Sequence, residues 1–393
     1  MALNNVYFET VAGGLGRLPE GEDHVSCLIY KTSSPSTVFG GLIKSYEEAE
    51  QNVTINNIMG SDPVLAFQIR EYFQMAGPSE LYVILEATSG GVPVTSYHTW
   101  TKGRVRQIYW HRDDMTYTNV LAKVAEAGVF ATALNALFIP AVILLSVKDH
   151  TKLITDNTLP ILHQNDNPEV SVLISGDGSG AGNGLADLLT IKYIPAGGAL
   201  LGLLSKAAVH ESIGWVRKFP LAYKADGVNN YEKTRFSDGS YLPGGVTETT
   251  LETLSDKGYI FLRQIEGVPG VYVNDTHTAC DETSDYRYIE NNRTIHKAKR
   301  GIRASLLPDL NSPIEVTADG TLSADMVAYF VNQTSRPLNL MLNAGEISAF
   351  EVIIDPDQDI LTTSILNIDV KIVPRGTART IKVNIGYAVS VGQ

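Results

Sequence analysis

A glycine-rich segment is the part of the sequence that most resembles a known ligand-binding motif. Residues 176–182 read GDGSGAG and follow a predicted strand, so the backbone there could approach a pyrophosphate at the start of a helix. However, no Asp or Glu lies between Asp187 and Glu211, where a dinucleotide-binding fold supplies an acidic residue for the ribose. A helix directly after the loop is also poorly supported. We therefore predict a flexible surface loop, with nucleotide binding as the alternative.

Other patterns that suggest catalysis or metal binding are incomplete. Residues 111–114 (HRDD) resemble a kinase catalytic loop, but the accompanying kinase motifs are missing. His210-Glu211 lacks the second histidine of a zinc-binding helix, and no group of His and Cys has metal-ligand spacing. Neither a Gly-x-Ser-x-Gly motif nor a Walker-type phosphate loop occurs. We predict that the chain is not an enzyme and has no catalytic, cofactor-binding or metal-binding residues.

The bulk composition excludes several classes of protein. With 393 residues the chain is long enough for two packed domains, and its hydrophobic content of 44% is ordinary for a globular protein. The formal net charge of -12 argues against nucleic-acid binding, which needs an excess of Lys and Arg. The two cysteines, Cys27 and Cys280, fit a reducing compartment in which both pack as small apolar side chains.

The sequence shows no targeting or membrane segment. Its first five residues (MALNN) form neither a basic nor an apolar signal region. Residues 127–147 are almost wholly apolar, but Asn135 and Pro140 interrupt them, and the proline ends the helix. We predict a helix that leads into a buried strand, no membrane insertion, and a soluble cytoplasmic product.

The elements that position these residues alternate between helices and strands, which predicts a mixed α/β fold. Asp62 and Pro63 provide an N-cap and a first helical residue, and Gly77 ends that helix. We predict helices over residues 63–76, 119–137, 199–209, 247–256, 284–307 and 324–332. We predict strands over residues 6–11, 27–30, 81–85, 105–109, 141–145, 170–174, 259–262, 271–273, 349–354, 366–373 and 380–389.

The polar, Gly- and Asn-rich stretch from Tyr223 to Gly245 is predicted to be a linker or long surface loop near a domain boundary. The predicted domains are an N-terminal arm with entry strands (1–30), a middle or outer α/β domain (31–235), a C-terminal domain (236–375) and a C-terminal arm strand (376–393).

The predicted helix 284–307 carries an unusual charge pattern. It contains six Lys or Arg and two acidic residues, although the whole chain is acidic. At helical spacing, Ile295, Ala298, Ile302 and Leu306 form an apolar stripe, and basic residues gather on the other side. The predicted basic stripe consists of Arg293, Lys297 and Arg300, flanked by His296 and Arg303. Facing outward, it is either a solvated surface or a site for an acidic partner.

Both ends of the chain read as strands without an obvious partner. Val6 and Phe8 lie in a β-prone segment, and Ile381, Val383 and Ile385 alternate along the last segment. A terminal strand either pairs within its own sheet or adds to the edge of a neighbour's sheet.

Several segments resemble contractile tail sheath proteins. Similarity to the C-terminal region of that family is carried by residues 258–262 (GYIFL), 268–278 (VPGVYVNDTHT), 284–286 (SDY), 288–293 (YIENNR) and the closing strands in 368–391. Residues 13–17 (GGLGR) and 23–25 (DHV) are similar to the start of a shorter sheath subfamily. The resemblance covers residue 258 to the C-terminus well, the first 30 residues partly, and the middle weakly.

This resemblance implies a structural subunit of a contractile tail, completed by strand exchange. Both terminal arms would add strands to the C-terminal-domain sheets of neighbouring subunits, and the basic stripe would face an acidic inner tube. The implied partners are other copies of the chain in stacked hexameric rings, the tube protein, and baseplate and tail-terminator proteins. The product would be made in a bacterial cytoplasm and assembled in a phage tail or an injection particle. A nucleotide-binding enzyme using residues 176–182 and a non-contractile virion or baseplate protein are the alternatives.

Overall fold

A six-stranded sheet covered by helices on both faces forms the body of the protein, in a computed structural model that describes residues 22–33, 36–148 and 159–387. The helices are α1 (Tyr46–Gln51), α2 (Val53–Ser61), α3 (Pro63–Ala76), α4 (Val94–Thr101), α5 (Val120–Ala136), α6 (Ala181–Leu188), α7 (Gly197–Lys206), α8 (Glu248–Asp256), α9 (Ile289–Leu306), α10 (Ala324–Asn343) and α11 (Ile360–Thr363). The strands are β1 (Ser26–Lys31), β2 (Val38–Ile43), β3 (Leu81–Glu86), β4 (Gln107–His111), β5 (Val142–Ser146), β6 (Val170–Leu173), β7 (Ser175–Asp177), β8 (Tyr223–Ala225), β9 (Val228–Asn230), β10 (Thr234–Phe236), β11 (Tyr241–Leu242), β12 (Leu262–Ile265), β13 (Val268–Val273), β14 (Ile347–Ile353) and β15 (Asp369–Pro374). The predicted mixed α/β fold is confirmed.

The central sheet has the strand order β2-β3-β1-β4-β5-β6. Its strands are parallel except β2, which pairs antiparallel with β3 at one edge. Successive side chains of β1 point to opposite faces, so Leu28 and Tyr30 enter one core and Cys27 and Ile29 enter the other. Helices α3 and α7 cover the first face, and α4, α5 and α8 cover the second. Both cysteines are buried and unpaired.

Helix α3 shows why the predicted helices of the body form where they do. The Asp62 side chain accepts a hydrogen bond from the Val64 N–H at 3.0 Å, and Pro63 is the first helical residue. Gly77 ends the helix with φ 71°, a left-handed conformation that glycine adopts without steric cost.

Within the described ranges, no helix is both long and apolar enough to cross a bilayer.

The C-terminal region is a smaller module with its own core. The antiparallel pair β14–β15 packs its Phe350, Val352, Val370 and Ile372 side chains toward α9 and α10. Helix α10 continues to Asn343, eleven residues beyond its predicted end, and passes through Pro337. A Cβ atom at Gly301 would lie 2.8 Å from the Pro337 Cβ atom, so α9 and α10 approach closely there. Tertiary packing therefore stabilises a helix that the proline disfavours locally.

The segment from Tyr223 to Gly245 is not the predicted linker or surface loop. It forms the short strands β8 to β11, and β10 pairs with β7 of the body. Two aromatic side chains of this polar stretch, Tyr231 and Phe236, are completely buried. Each packs in one of the two cores of the body, and together they anchor the stretch.

The predicted division at residue 236 does not coincide with the division between the hydrophobic cores. Tyr259, Ile260 and Phe261 pack in the large body. The division between the cores lies within α9. Ile289 packs in the core of the body that α3 and α7 cover, whereas Ala298 packs in the core of the small module. Helix α9 therefore joins the two.

Candidate assembly surfaces

Helix α9 contains the predicted tube-facing stripe, and its start differs from the prediction. It begins at Ile289, five residues after the predicted Ser284. Two members of the predicted apolar stripe, Ala298 and Ile302, pack against Leu338 and Met341 of α10 and so fix the rotation of α9. This rotation turns most of the basic stripe toward the body.

Arg293 is buried and does not face solvent, contrary to the sequence-based prediction. Only 3% of its surface is exposed. Its Nη2 donates hydrogen bonds to the Leu204 and Ala207 carbonyl oxygens, at 2.9 and 3.1 Å. These carbonyls belong to the C-terminal turn of α7, where the helix leaves oxygen atoms unsatisfied and a cation is favourable. Burial lowers the pKa of the Arg293 guanidinium to about 10, which still leaves it charged at neutral pH.

Lys297 and Arg300 are held by carboxylates of the same chain. Lys297 Nζ lies 2.7 Å from Asp23 Oδ2 and 2.6 Å from Glu346 Oε1, and an Arg300 Nη lies 2.9 Å from Asp23 Oδ1. Burial raises the pKa of the Asp23 carboxyl, but Lys297 and the two arginines, Arg300 and Arg293, outweigh burial, so its pKa is lowered overall. Both basic side chains therefore bind the start of the described chain.

His296 and Arg303 have different environments. His296 is buried, with its Nε2 3.9 Å from Glu169, and burial lowers the pKa of its imidazole. Arg303 is exposed, and its guanidinium carbon lies 3.7 Å from the centre of the Phe138 ring. Lys299 is also exposed and lies one turn before Arg303. The basic surface that faces solvent is thus limited to this end of α9.

A pair of carboxylates, Glu22 and Asp23, begins the described part of the chain. Val6 and Phe8, the predicted strand residues of the N-terminal arm, lie outside the described residues. Next to Asp23, the Glu22 carboxylate lies 3.0 Å from Arg104 and 2.6 Å from Arg106. Sequence reasoning did not assign a role to Glu22, and the only available signal was the Asp23-His24-Val25 similarity.

The strands β14 and β15 form a two-stranded sheet whose outer edges are unpaired within the described part of the chain. Their register pairs Phe350 with Ile372 and Val352 with Val370. Each outer edge therefore presents backbone N–H and C=O groups that another strand could pair with.

The described part of the predicted C-terminal arm strand, up to residue 387, is not a strand. Residues 380–387 have no regular secondary structure and make no hydrogen bond or ion pair within the described ranges. Ile381, Val383 and Ile385 are 79%, 78% and 96% exposed. An extended segment cannot form strand hydrogen bonds without a neighbouring strand, and within the described residues none lies beside it.

The glycine-rich loop is occupied by the chain itself. The Asp177 carboxylate accepts hydrogen bonds from the N–H groups of Ser179, Gly180 and Gly182, at 2.9 to 3.1 Å. A Cβ atom at Gly178 would lie 2.7 Å from the Thr234 backbone. The donors that a phosphate would need are therefore already used, and the glycines serve close packing. A helix does follow the loop, α6, contrary to the sequence-based expectation.

The HRDD segment contributes structural contacts. Arg112 is buried and pairs with Asp114 at 3.0 Å and Glu126 at 2.6 Å, which ties β4 to α5. His111 Nδ1 lies 2.8 Å from the Tyr109 hydroxyl. No cluster of three or more potential metal ligands occurs among residues 22–33, 36–148 and 159–387.

Comparisons with known proteins agree with this architecture. The sequence matches the N-terminal domain of DUF2586 over residues 3–277 and its C-terminal domain over residues 285–392. Comparison with curated proteins finds no significant match.

Similar solved structures come from contractile particles. A chain of the anti-feeding prophage baseplate has a TM-score of 0.59 and 17% identity, covering 99% of this chain and 100% of that one. A chain of the PVC sheath complex, an extracellular contractile injection system in the contracted state, has a TM-score of 0.60 and 15% identity, with coverages of 99% and 98%. A sheath tail protein from Listeria innocua has a TM-score of 0.51 and 10% identity, with coverages of 90% and 96%. The chain belongs to the DUF2586 family, and its predicted resemblance to contractile tail sheath proteins is confirmed in its fold.

Proposed function

We propose that this protein is a structural sheath subunit of a contractile tail. It polymerises as stacked rings around an inner tube and contracts to drive that tube through a target envelope. One observation carries the proposal: the same chain has an open two-stranded sheet, β14–β15, and an exposed arm that alternates Ile381, Val383 and Ile385 with polar residues. The arm of one subunit complements the sheet edge of another.

Strand donation of this kind gives an open polymer. The donating arm and the accepting edge are different surfaces, so the contact is heterologous and adds subunits without closing on a dimer. The anti-feeding prophage and PVC structures, which share the fold, are described as baseplate and sheath assemblies. They support assembly of this chain with copies of itself and with baseplate proteins. In this proposal the particle also contains tail-terminator proteins and is made in a bacterial cytoplasm.

Contraction requires that subunits move without separating. The main-chain hydrogen bonds of an exchanged strand persist while the body rotates as a rigid unit, and the bodies then repack against new neighbours. The six-stranded sheet of the body, with a hydrophobic core on each face, supports such rigid rotation. The free energy is stored during assembly, so the stroke needs neither a nucleotide nor a cofactor.

Contact with the tube is assigned to the exposed end of α9. Arg293, His296, Lys297 and Arg300 already contact groups of their own chain, as described above. Arg303, from the predicted set, and Lys299 are the exposed cations that remain on this helix. They provide a small basic surface for an acidic tube.

Electron microscopy of negatively stained protein, alone and with its tube protein, tests the proposal. Long striated tubes that are wider than the tube protein alone are the expected result. Closed rings without long tubes would favour a non-contractile baseplate component, and single particles under both conditions would contradict the sheath function. A rise in the melting temperature with ATP, GTP or NAD would support the nucleotide-binding alternative, because a ligand that binds only the folded state stabilises it.

A further inference from the structure

Arg379 lies between the end of β15 and the exposed residues 380–387 of the C-terminal arm, and its side chain is bound to the body. Its backbone is open to solvent, but only 28% of its side-chain surface is exposed. Arg379 Nε lies 2.7 Å from Asp275 Oδ2, and its Nη2 lies 2.6 Å from Glu290 Oε1. The guanidinium carbon is 3.3 Å from the centre of the Tyr288 ring. One side chain thus contacts two carboxylates and an aromatic face.

The Glu290 carboxylate that binds Arg379 is also held by a residue of the body. Glu290 is 3% exposed, and its other oxygen accepts a hydrogen bond from the Thr276 hydroxyl at 2.5 Å. Burial raises the pKa of Glu290, and burial also opposes the charge of Arg379, but Asp275 and Glu290 outweigh it and raise the pKa of the guanidinium overall. A buried carboxylate without its cation is strongly unfavourable, so each partner holds the other in place.

The position of this contact sets the free length of the arm. Arg379 is five residues beyond Pro374, the end of β15, and no hydrogen bond or ion pair follows it in the described chain. The five residues from Pro374 to Arg379 span at most about 17 Å when extended, so an arm that starts at Arg379 reaches about 17 Å less far than one that starts at Pro374. An arm that starts at Arg379 therefore reaches fewer neighbouring sheet edges.

We propose that Arg379 is a positioning residue: it fixes where the C-terminal arm leaves the subunit and thereby selects the copy of the chain that receives it. This inference rests on the proposed sheath function. The contact also directs tension from the arm into α9, which carries Glu290, and into the body through Asp275. Without it, tension would act on the end of β15 and separate that strand from β14.

Limited trypsin digestion of the isolated subunit tests whether Arg379 holds the start of the exposed arm against the body. In the wild type, the bond after Arg375 lies between two held points and should be cut slowly, whereas the bond after Lys382 in the exposed arm should be cut fast. In R379Q we expect cleavage after Arg375 to rise about tenfold, because two charge-assisted hydrogen bonds no longer oppose local opening. D275N should give a smaller increase. K371Q, which removes a cation from an exposed pair on β15, should give none.

Electron microscopy of the same variants tests selection of the neighbour. R379Q should melt below the wild type, because Glu290 loses its cation, but should stay folded at the temperature of assembly. It should form short or irregular assemblies, whereas K371Q should form wild-type tubes. R379K keeps the charge but not the two-carboxylate geometry and should be intermediate. Wild-type tubes from R379Q, or unchanged trypsin cleavage after Arg375, would overturn the anchor while leaving the sheath function intact. A wild-type protein that forms no tubes would overturn the sheath function and, with it, the selection of a neighbour.

Discussion

A single buried carboxylate, that of Asp177, determines what the glycine-rich loop does. It accepts hydrogen bonds from the backbone N–H groups at the start of α6 and also from the Tyr231 N–H, at 2.9 Å. The loop is therefore an anion site that the chain fills with its own side chain. The glycines are visible in the sequence, but their partner is not, because Tyr231 lies 54 positions away in a stretch that reads as polar loop.

The neighbouring Glu71 gives a pH-dependent prediction for stability. Glu71 is buried in α3 and accepts a hydrogen bond from the Tyr223 hydroxyl. Burial raises the pKa of its carboxyl from 4.5 to about 7, against the opposing effect of that hydrogen bond. The folded state therefore binds a proton more tightly than the unfolded state. The stabilisation is fully present below pH 4.5 and is lost as the pH rises through about 7.

Replacement of Glu71 by Gln should remove this contribution. Glutamine keeps an oxygen for the Tyr223 hydroxyl, so E71Q should be more stable than the wild type by about 1–3 kcal/mol above pH 7.5, with a difference that shrinks toward pH 4.5. Urea unfolding at several pH values measures this difference. E252Q, which replaces an exposed glutamate on α8, serves as the control, and its free energy of unfolding should match that of the wild type at every pH. A pH-independent difference for E71Q would contradict the assignment.

Among the elements, α9 links the body to the small module. Its first turn packs in the large core, its middle packs on α10, and Arg293 caps the C-terminal end of α7. We expect R293M to lower the free energy of unfolding by about 2–4 kcal/mol, because buried carbonyl oxygens lose their charged donor. R303M, which removes an exposed arginine from the same helix, should cost about 0.5 kcal/mol or less. Guanidinium chloride unfolding distinguishes the two, and equal effects would show that Arg293 is not a cap.

The exposed end of α9 gives a prediction for tube binding. The double charge reversal K299E/R303E should weaken co-sedimentation with the tube protein about tenfold at low ionic strength and less at high salt, since salt screens exposed charges. The control K206E/K224E changes the net charge equally, using exposed lysines of the body. Unchanged tube binding by K299E/R303E at moderate salt would remove this end of α9 from the tube contact.

Local signals in the sequence predicted several elements of the body, but they missed α2, α4, α6 and the short strands β8 to β11, and they did not reveal the partners of the basic face of α9. Caps and apolar spacing predicted α3 and α5 with ends within one residue, because these features depend on neighbours in the chain. The partners of the basic face are Asp23, Glu169 and Glu346, and Asp23 lies 277 positions from Arg300. The cluster of basic residues on α9 therefore suggested an external acidic partner. In the folded chain, carboxylates that are distant in the sequence bind these residues instead.

At the scale of the molecule, the described chain has an α/β body, a small module with an open sheet, and two clusters of ion pairs that hold Asp23 and Arg379. The Glu22–Asp23 pair binds Arg104, Arg106, Lys297 and Arg300, and Arg379 binds Asp275 and Glu290. Resemblance to sheath proteins predicted two arms, but no sequence pattern marked these two clusters of ion pairs. Both clusters include residues of α9, so a force applied at either cluster would act on the same helix.

The C-terminal arm should contribute to assembly and not to the stability of the subunit. Residues 381–387 make no hydrogen bond or ion pair in the described chain, and their apolar side chains face solvent. A chain ending at Thr380 keeps the Arg379 contacts and should melt within about 2 °C of the full-length protein, yet form no tubes. A chain ending at Pro374 also leaves Glu290 buried without its cation, so it should lose about 2–4 kcal/mol of stability as well. Calorimetry and electron microscopy of the three proteins separate folding from assembly, and normal tubes from the chain ending at Thr380 would exclude donation of the C-terminal arm.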